Sequence, residues 1–222
     1  MHFVPMSAGR GAHILALEFR QQLELHEHVL WLVSGGSNIP LTVQVMNELP
    51  EQFTSKMTVM PIDERYGKIG HKDSNIKQLY DAGFTPKLAT VFAPLDGSPI
   101  SVAAKRYNDA VNTAFGEGDF VIAQVGMGAD GHVAGLFPQA DALDSTDLVA
   151  IYEGADFTRL TLTPTAMRQI DLAYLFAYGR EKRAALDRLC DGDFPMTDQP
   201  AQILRELKEV TIFNDQLDER NA

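Results

Sequence analysis

The stretch Phe120-Val-Ile-Ala-Gln-Val125-Gly126-Met-Gly128-Ala-Asp130-Gly131-His132 decides how the chain is built. A strand with one wet face alternates polar and apolar side chains. The run 120–125 is almost continuously apolar, so it predicts a strand covered on both faces, as in a parallel sheet between two layers of helices. Outward from it, runs of similar character stand at 29–33, 57–62 and 172–178, with shorter or more mixed ones at 90–93, 148–152, 159–163 and 209–214. Helix-like segments fill the gaps at 13–27, 40–47, 74–81, 98–115, 164–169 and 181–190. The Pro- and Asp-rich segment 191–200 reads as a surface loop before a last helix and strand. This alternation predicts an α/β fold around a largely parallel sheet, with ligands outside the carboxyl ends of the strands.

The chain has 222 residues, 45% of them apolar, enough for one sizeable core, and a single domain over 1–222 is expected. Thirty acidic residues against nineteen basic ones give a net charge of −11. That field repels nucleic acid and acidic membrane surfaces, yet a small anion remains a possible ligand where a few basic groups converge. Cys190 is the single cysteine, so no intramolecular disulfide can form. No apolar run approaches the roughly 18 residues of a membrane span, and Met1 to Gly11 lacks the pattern of a secretion signal. A cytoplasmic protein is expected.

Three strand ends run into loops with chemical potential. After 29–33 comes Ser34-Gly35-Gly36-Ser37-Asn38-Ile39-Pro40, where paired glycines and a following helix suit an oxyanion or phosphate, or form a plain turn with a serine cap. After 57–62 comes Asp63-Glu64-Arg65, with His71, Asp73, Ser74 and Asn75 soon after. Charges that end an apolar strand face a solvated cleft or pair with one another; Asp73 or Ser74 can also cap the next helix. After 120–125, Gly126, Gly128 and Gly131 carry the spacing of a dinucleotide loop, with Glu153 about 20 residues on, but Asp130 would set a carboxylate beside the diphosphate. The same loop reads better as the seat of a base, His132, whose tautomer or charge Asp130 supports. Arg159 and Lys182, near further strand ends, are donors that a phosphate needs, or ordinary surface cations. His71, Asp73, Asp130 and His132 fall in two loops without the compact spacing of a metal site, and none is expected.

In this order, Gly35-Gly36-Ser37, Asp63-Glu64-Arg65 with His71-Lys-Asp73-Ser74-Asn75, Gly126-Met-Gly128-Ala-Asp130-Gly131-His132 with Leu136-Phe137-Pro138, Arg159-Leu-Thr-Leu-Thr-Pro164 and Gly179-Arg-Glu-Lys182 resemble the 6-phosphogluconolactonase family, which shares a superfamily with glucosamine-6-phosphate deaminases. The resemblance runs from about residue 29 to 213. It implies a modified Rossmann-like, three-layer fold, no cofactor, and hydrolysis of a phosphorylated sugar lactone, 6-phosphoglucono-δ-lactone, in the oxidative pentose phosphate pathway. Carried onto this chain, it makes His132 the general base that activates water and Asp130 its helper. Arg159 and Lys182 would hold the phosphate with the Gly36-Ser37 loop, while Asp63 and Arg65 would contact the sugar acid or the developing oxyanion.

Two places depart from the family pattern. His-Thr-Ala-Ser-Leu-Phe-Pro is replaced by His132-Val133-Ala134-Gly135-Leu136-Phe137-Pro138, and Gly-Gly-Ser-Thr-Pro by Gly35-Gly36-Ser37-Asn38-Ile39-Pro40. The lost hydroxyls motivate one alternative, a sugar-phosphate binder without turnover. A second is an amino-sugar-phosphate isomerase or deaminase, a branch that carries a glutamate five residues after the histidine, where this chain has Phe137.

Overall fold

In the computed structural model, which describes residues 1–117, 119–192 and 194–221, the strands are β1 (His2–Pro5), β2 (Val29–Val33), β3 (Met57–Pro61), β4 (Asp63–Arg65), β5 (Thr90–Val91), β6 (Phe120–Gly126), β7 (Val149–Glu153), β8 (Thr158–Leu162), β9 (Leu172–Ala177), β10 (Glu209–Asn214) and β11 (Arg220–Asn221). The α-helices are α1 (Ala8–Leu25), α2 (Ile39–Glu48), α3 (Glu51–Thr54), α4 (Asn75–Asp81), α5 (Ile100–Glu117), α6 (Pro164–Met167) and α7 (Arg183–Asp191).

The period of two along a strand divides the buried side chains between two cores. Along β2, Leu30 and Leu32 pack into one core with Tyr107 and Val111 of α5 and Leu186 of α7. Val29, Trp31 and Val33 join the other, with Leu15 and Phe19 of α1 and Met46 of α2. In β9, Ala173 and Leu175 point to the first core and Tyr174 and Phe176 to the second. Helices thus cover both faces of one sheet, the three-layer arrangement expected.

That sheet runs β11-β1-β10-β9-β6-β2-β3-β5, parallel throughout except for β11. β3 and β5 lie to one side of β2, whereas β6 returns to its other side, so the connections leaving β2 and β6 diverge above their carboxyl ends. Such a switch point is where open α/β sheets leave a crevice.

Several boundaries differ from the sequence reading. Asp63–Arg65 is not a loop but a strand, β4, which leaves the main sheet and pairs antiparallel with β8 in a second sheet of order β4-β8-β7. The runs at 148–152 and 159–163 are strands of this sheet. The first strand, β1, is too short for its alternation to stand out, and the last predicted helix is a 3-10 segment, Pro200–Glu206. No helix among the described residues is long and apolar enough to cross a membrane.

Candidate active site

Gln124 is the polar residue inside the apolar run of β6, and it is fully buried. Its Nε2 donates to Asn38 O and Oδ1 at 3.1 and 3.2 Å, and its Oε1 accepts from Thr42 Oγ1 at 3.1 Å. An unpaired amide here would cost the fold its full desolvation penalty, so these bonds fix the 34–40 loop against β6. Ser34 Oγ adds a bond from Gly126 N at 3.1 Å. At the rim, Gly36 has φ +61, a conformation that favours glycine, and opens a 3-10 turn leading into α2.

Facing this loop is the segment after β6. His132 Nδ1 and Asp130 Oδ1 are 2.7 Å apart, and His132 N donates to the same oxygen at 3.1 Å. Burial works against the charged form of Asp130, but the amide and ring of His132 outweigh it and hold the carboxyl below its usual range. The imidazole lies on Phe137, with centroids 4.3 Å apart and planes 21° apart, and Phe137 stacks in turn on Tyr152 at 5.1 Å. Nδ1 is thereby engaged and the ring is wedged, leaving Nε2 without a hydrogen-bond partner among the described residues. Gly128 makes room for the pair: a Cβ there would stand 2.1 Å from His132 Nδ1 and 2.4 Å from Asp130 Oδ1.

The third wall comes from the small sheet. Its register sets Arg65 directly opposite Arg159, a like-charge pairing that disfavours itself unless anions intervene. Both guanidiniums lie over the Phe157 ring, at 5.2 and 5.4 Å, and Arg159 also lies 4.9 Å from the centre of Phe137. Arg65 Nη1 donates to Asp73 O at 3.1 Å, while its buried Nε has no partner among the described residues. Beside them Asp63 is almost fully buried, and burial, then the neighbouring Glu64, push its carboxyl up to about 6 against the pull of Arg65, Arg159 and His132. Lys182 Nζ reaches across from the end of β9 to donate to Met127 O at 2.6 Å.

Gly36, Ser37, Asp63, Arg65, His132, Arg159 and Lys182 therefore line one cavity of about 190 Å³ at the switch point. Asp130 is outside the lining, bonded to the side of the imidazole that Nδ1 occupies. Asn75 also faces the cavity; its Nδ2 donates to Asp63 O at 2.9 Å and its buried Oδ1 has no partner among the described residues. In sequence Asn75 belongs to the charged cluster at 63–75 with nothing to mark it as cavity-facing, whereas the signal for Gln124 is a lone amide in an apolar strand. Other members of the charged cluster serve the scaffold. Glu64 accepts from the amides of Arg65, Asn75 and Ile76 and from Ser74 Oγ, fixing the start of α4, which Ser74 caps through Lys77 N. His71 Nε2 bonds Arg65 O at 2.9 Å.

The dinucleotide reading fails on local geometry. No helix starts in the 126–132 loop, and Glu153, bonded to Thr158, is outside the cavity. Nor do the missing hydroxyls touch the cavity. Val133 is fully buried in the core, and Gly135 packs beneath Thr161, whose Oγ1 accepts its amide at 2.9 Å. Asn38 is the departure that does line it.

Residues 6–213 match the family described as glucosamine-6-phosphate isomerases/6-phosphogluconolactonase. The chain belongs to this family. It is 32% identical over 201 residues to a 6-phosphogluconolactonase of Caulobacter vibrioides, covering 84% of each chain. It is 29% identical over 198 residues to one of Helicobacter pylori, covering 87% of this chain and 86% of that one. The crystal structure of a 6-phosphogluconolactonase from Shewanella baltica superposes with a TM-score of 0.82 over 96% of each chain at 19% identity, a likeness of fold.

Proposed function

We propose that this chain hydrolyses 6-phosphoglucono-δ-lactone to 6-phosphogluconate, the lactone-opening step of the oxidative pentose phosphate pathway, with His132 as general base. The carrying observation is the imidazole itself: Asp130 holds Nδ1 at 2.7 Å, and Nε2 has no partner among the described residues, at a cavity whose walls carry Arg65, Arg159 and Lys182. With its proton on Nδ1, Nε2 is the basic nitrogen. It takes a proton from water as the water oxygen attacks C1, and the lactone carbonyl becomes an oxyanion. Arg65, with its unpartnered Nε, supplies a fixed positive charge for that oxyanion or for the sugar acid. Collapse of the tetrahedral centre breaks the bond from C1 to the ring oxygen, which receives the proton from His132. A δ-lactone is already activated, so positioning, a base and charge stabilisation suffice. Arg159 and Lys182, with the Gly36-Ser37 loop, hold the phosphate, and Asp63 contacts the sugar. We read residues 1–222 as one domain, since strands from both ends of the chain pair in one sheet. The single, unpaired Cys190 suits a cytoplasmic enzyme.

Phe137 weighs against isomerase and deaminase chemistry, because a phenyl ring stacked on the histidine cannot relay a proton. Fresh lactone, followed by acid release after subtraction of spontaneous hydrolysis, should be turned over, while glucosamine 6-phosphate should release no ammonia. A protein that binds 6-phosphogluconate but leaves lactone hydrolysis at its spontaneous rate is a binder and ends the hydrolase reading. Lys182→Ala should raise KM for the phosphorylated lactone several-fold and leave kcat nearly unchanged, because a phosphate remote from C1 is bound alike in ground and transition states. Glucono-δ-lactone without phosphate should not respond; an unchanged KM for the phosphorylated lactone places the phosphate elsewhere.

Gly128→Ala tests the geometry of the base. The added methyl must push the imidazole or Asp130 aside, and an ångström of misplacement can cost about 10²-fold in rate. We expect kcat to fall by about ten- to a hundredfold with little change in melting temperature. Native kcat in a folded variant contradicts a base fixed in this way.

A further inference from the structure

We propose that Asp156 is a built-in competitor for the phosphate: its carboxylate occupies the fork of Arg159 that a phosphoryl group would take, and so sets the affinity for phosphorylated ligands. The inference rests on Arg159 as a phosphate ligand. Asp156 Oδ1 lies 2.7 Å from Nη1 and Oδ2 2.9 Å from Nη2, the bidentate arrangement in which a guanidinium also grips phosphate. Asp156 itself is outside the cavity lining, so it reaches Arg159 from beyond the cavity, and a phosphate gripped through Nη1 and Nη2 claims the same donors.

Asp156 is not needed to aim Arg159. The guanidinium is already held by Phe157 O, which accepts from Nη1 at 2.9 Å, and by the rings of Phe137 and Phe157. Exposure separates the partners as well. The Arg159 side chain is 7% exposed and that of Asp156 60%, so the carboxylate comes in from solvent onto a buried cation. It sits on the short turn between β7 and β8, closed by Gly154 N to Phe157 O at 3.0 Å. Rotation of one side chain returns it to water without unfolding either strand. Among the described residues, Arg159 alone of the three cations of the cavity has a carboxylate partner; Arg65 and Lys182 bond backbone carbonyls. A phosphate dianion, with more charge and three terminal oxygens, can displace the carboxylate. The gain is reduced by the pair that is broken.

Calorimetric titration with 6-phosphogluconate and with gluconate, on the wild type, Asp156→Asn, Arg159→Ala and the double variant, separates the possibilities. Asn keeps the shape and removes the charge. We expect Asp156→Asn to bind 6-phosphogluconate about three- to tenfold more tightly, the order expected for releasing one partly exposed bidentate pair, with gluconate unchanged and no gain in the Arg159→Ala background. If Arg159→Ala weakens 6-phosphogluconate but Asp156→Asn does not tighten it, the competitor proposal fails and the phosphate site stands. Weaker binding by Asp156→Asn would make Asp156 an orienting partner, and equal tightening of gluconate a general charge effect; either overturns the proposal. If Arg159→Ala binds 6-phosphogluconate as the wild type does, the phosphate site falls and the proposal with it.

Discussion

His132→Ala should lower kcat for 6-phosphoglucono-δ-lactone by about 10²- to 10⁴-fold, the range for loss of a positioned general base, with little change in KM. The imidazole is the group on the cavity wall whose second nitrogen is pinned to a carboxylate, and its Nε2 has no other partner among the described residues. His132→Gln should be nearly as inactive, because an amide keeps polarity but cannot accept a full proton. Both variants should fold, since the ring is partly exposed and lies on Phe137 outside the strand ladders. Asp130→Asn should do less damage than His132→Ala: the base survives, but the partner that fixes its tautomer and steadies its positive form is weakened. Spontaneous hydrolysis must be subtracted at every pH, as it rises with pH and imitates enzymatic turnover. A folded His132→Ala protein with near-native kcat would remove His132 from the chemistry and leave Asp63 as the remaining buried base on the cavity wall.

The main sheet was legible because strands buried on both faces leave an apolar run with few interruptions. β2 and β10 carry the bounds expected at 29–33 and 209–214, and β6 is only one residue longer than the run 120–125. The small sheet was harder. Its strands β4, Asp-Glu-Arg, and β8 owe their place to cross-strand pairing and to Glu64 bonding the start of α4, and no periodicity in three residues can announce that. For the site, the residues at strand ends were readable because the switch point gathers those ends, and the loops after β2 and β6 meet there. What a side chain does once it arrives was less readable. Arg159 looks in sequence like a free phosphate donor, yet in the fold Asp156, three residues earlier, already neutralises it. Likewise, the hydroxyls missing at Val133 and Gly135 suggested a damaged site, but the loop points both positions into packing.

Asp63→Asn should stabilise the protein at pH 8 while lowering its activity. Asp63 is buried among Glu64, Arg65, Arg159 and His132, with Asn75 Nδ2 on its backbone oxygen and Tyr107 close enough for its hydroxyl to feel the charge. Burial and the Glu64 charge outweigh the cations, so the folded-state value stands near 6, against 3.8 for the free group. The folded state binds this proton more tightly than the unfolded chain. Its contribution is therefore fully present below pH 4, declines as pH rises from about 4 to 6, and stays lost above. Moving a carboxyl from 3.8 to about 6 corresponds to at most roughly 3 kcal/mol. An asparagine carries no charge at any pH, so the variant escapes this cost above pH 6. Its melting temperature at pH 8 should exceed that of the wild type by several degrees, up to about 10 °C for a chain of this size, and the gain should vanish toward pH 4. Because the Glu64 charge acts on Asp63 and is acted on in return, the difference between the two proteins at each pH reports the coupled pair. Turnover should move the other way: kcat/KM for the lactone should fall at least tenfold if the ionised carboxylate grips the sugar, the expected trade between a strained site and a stable one. A gain in melting temperature that is equal at pH 4 and pH 8 would trace to packing and not to charge. No gain at pH 8 would show that the arginines already balance the buried carboxylate, and full activity in the stabilised variant would remove Asp63 from the sugar.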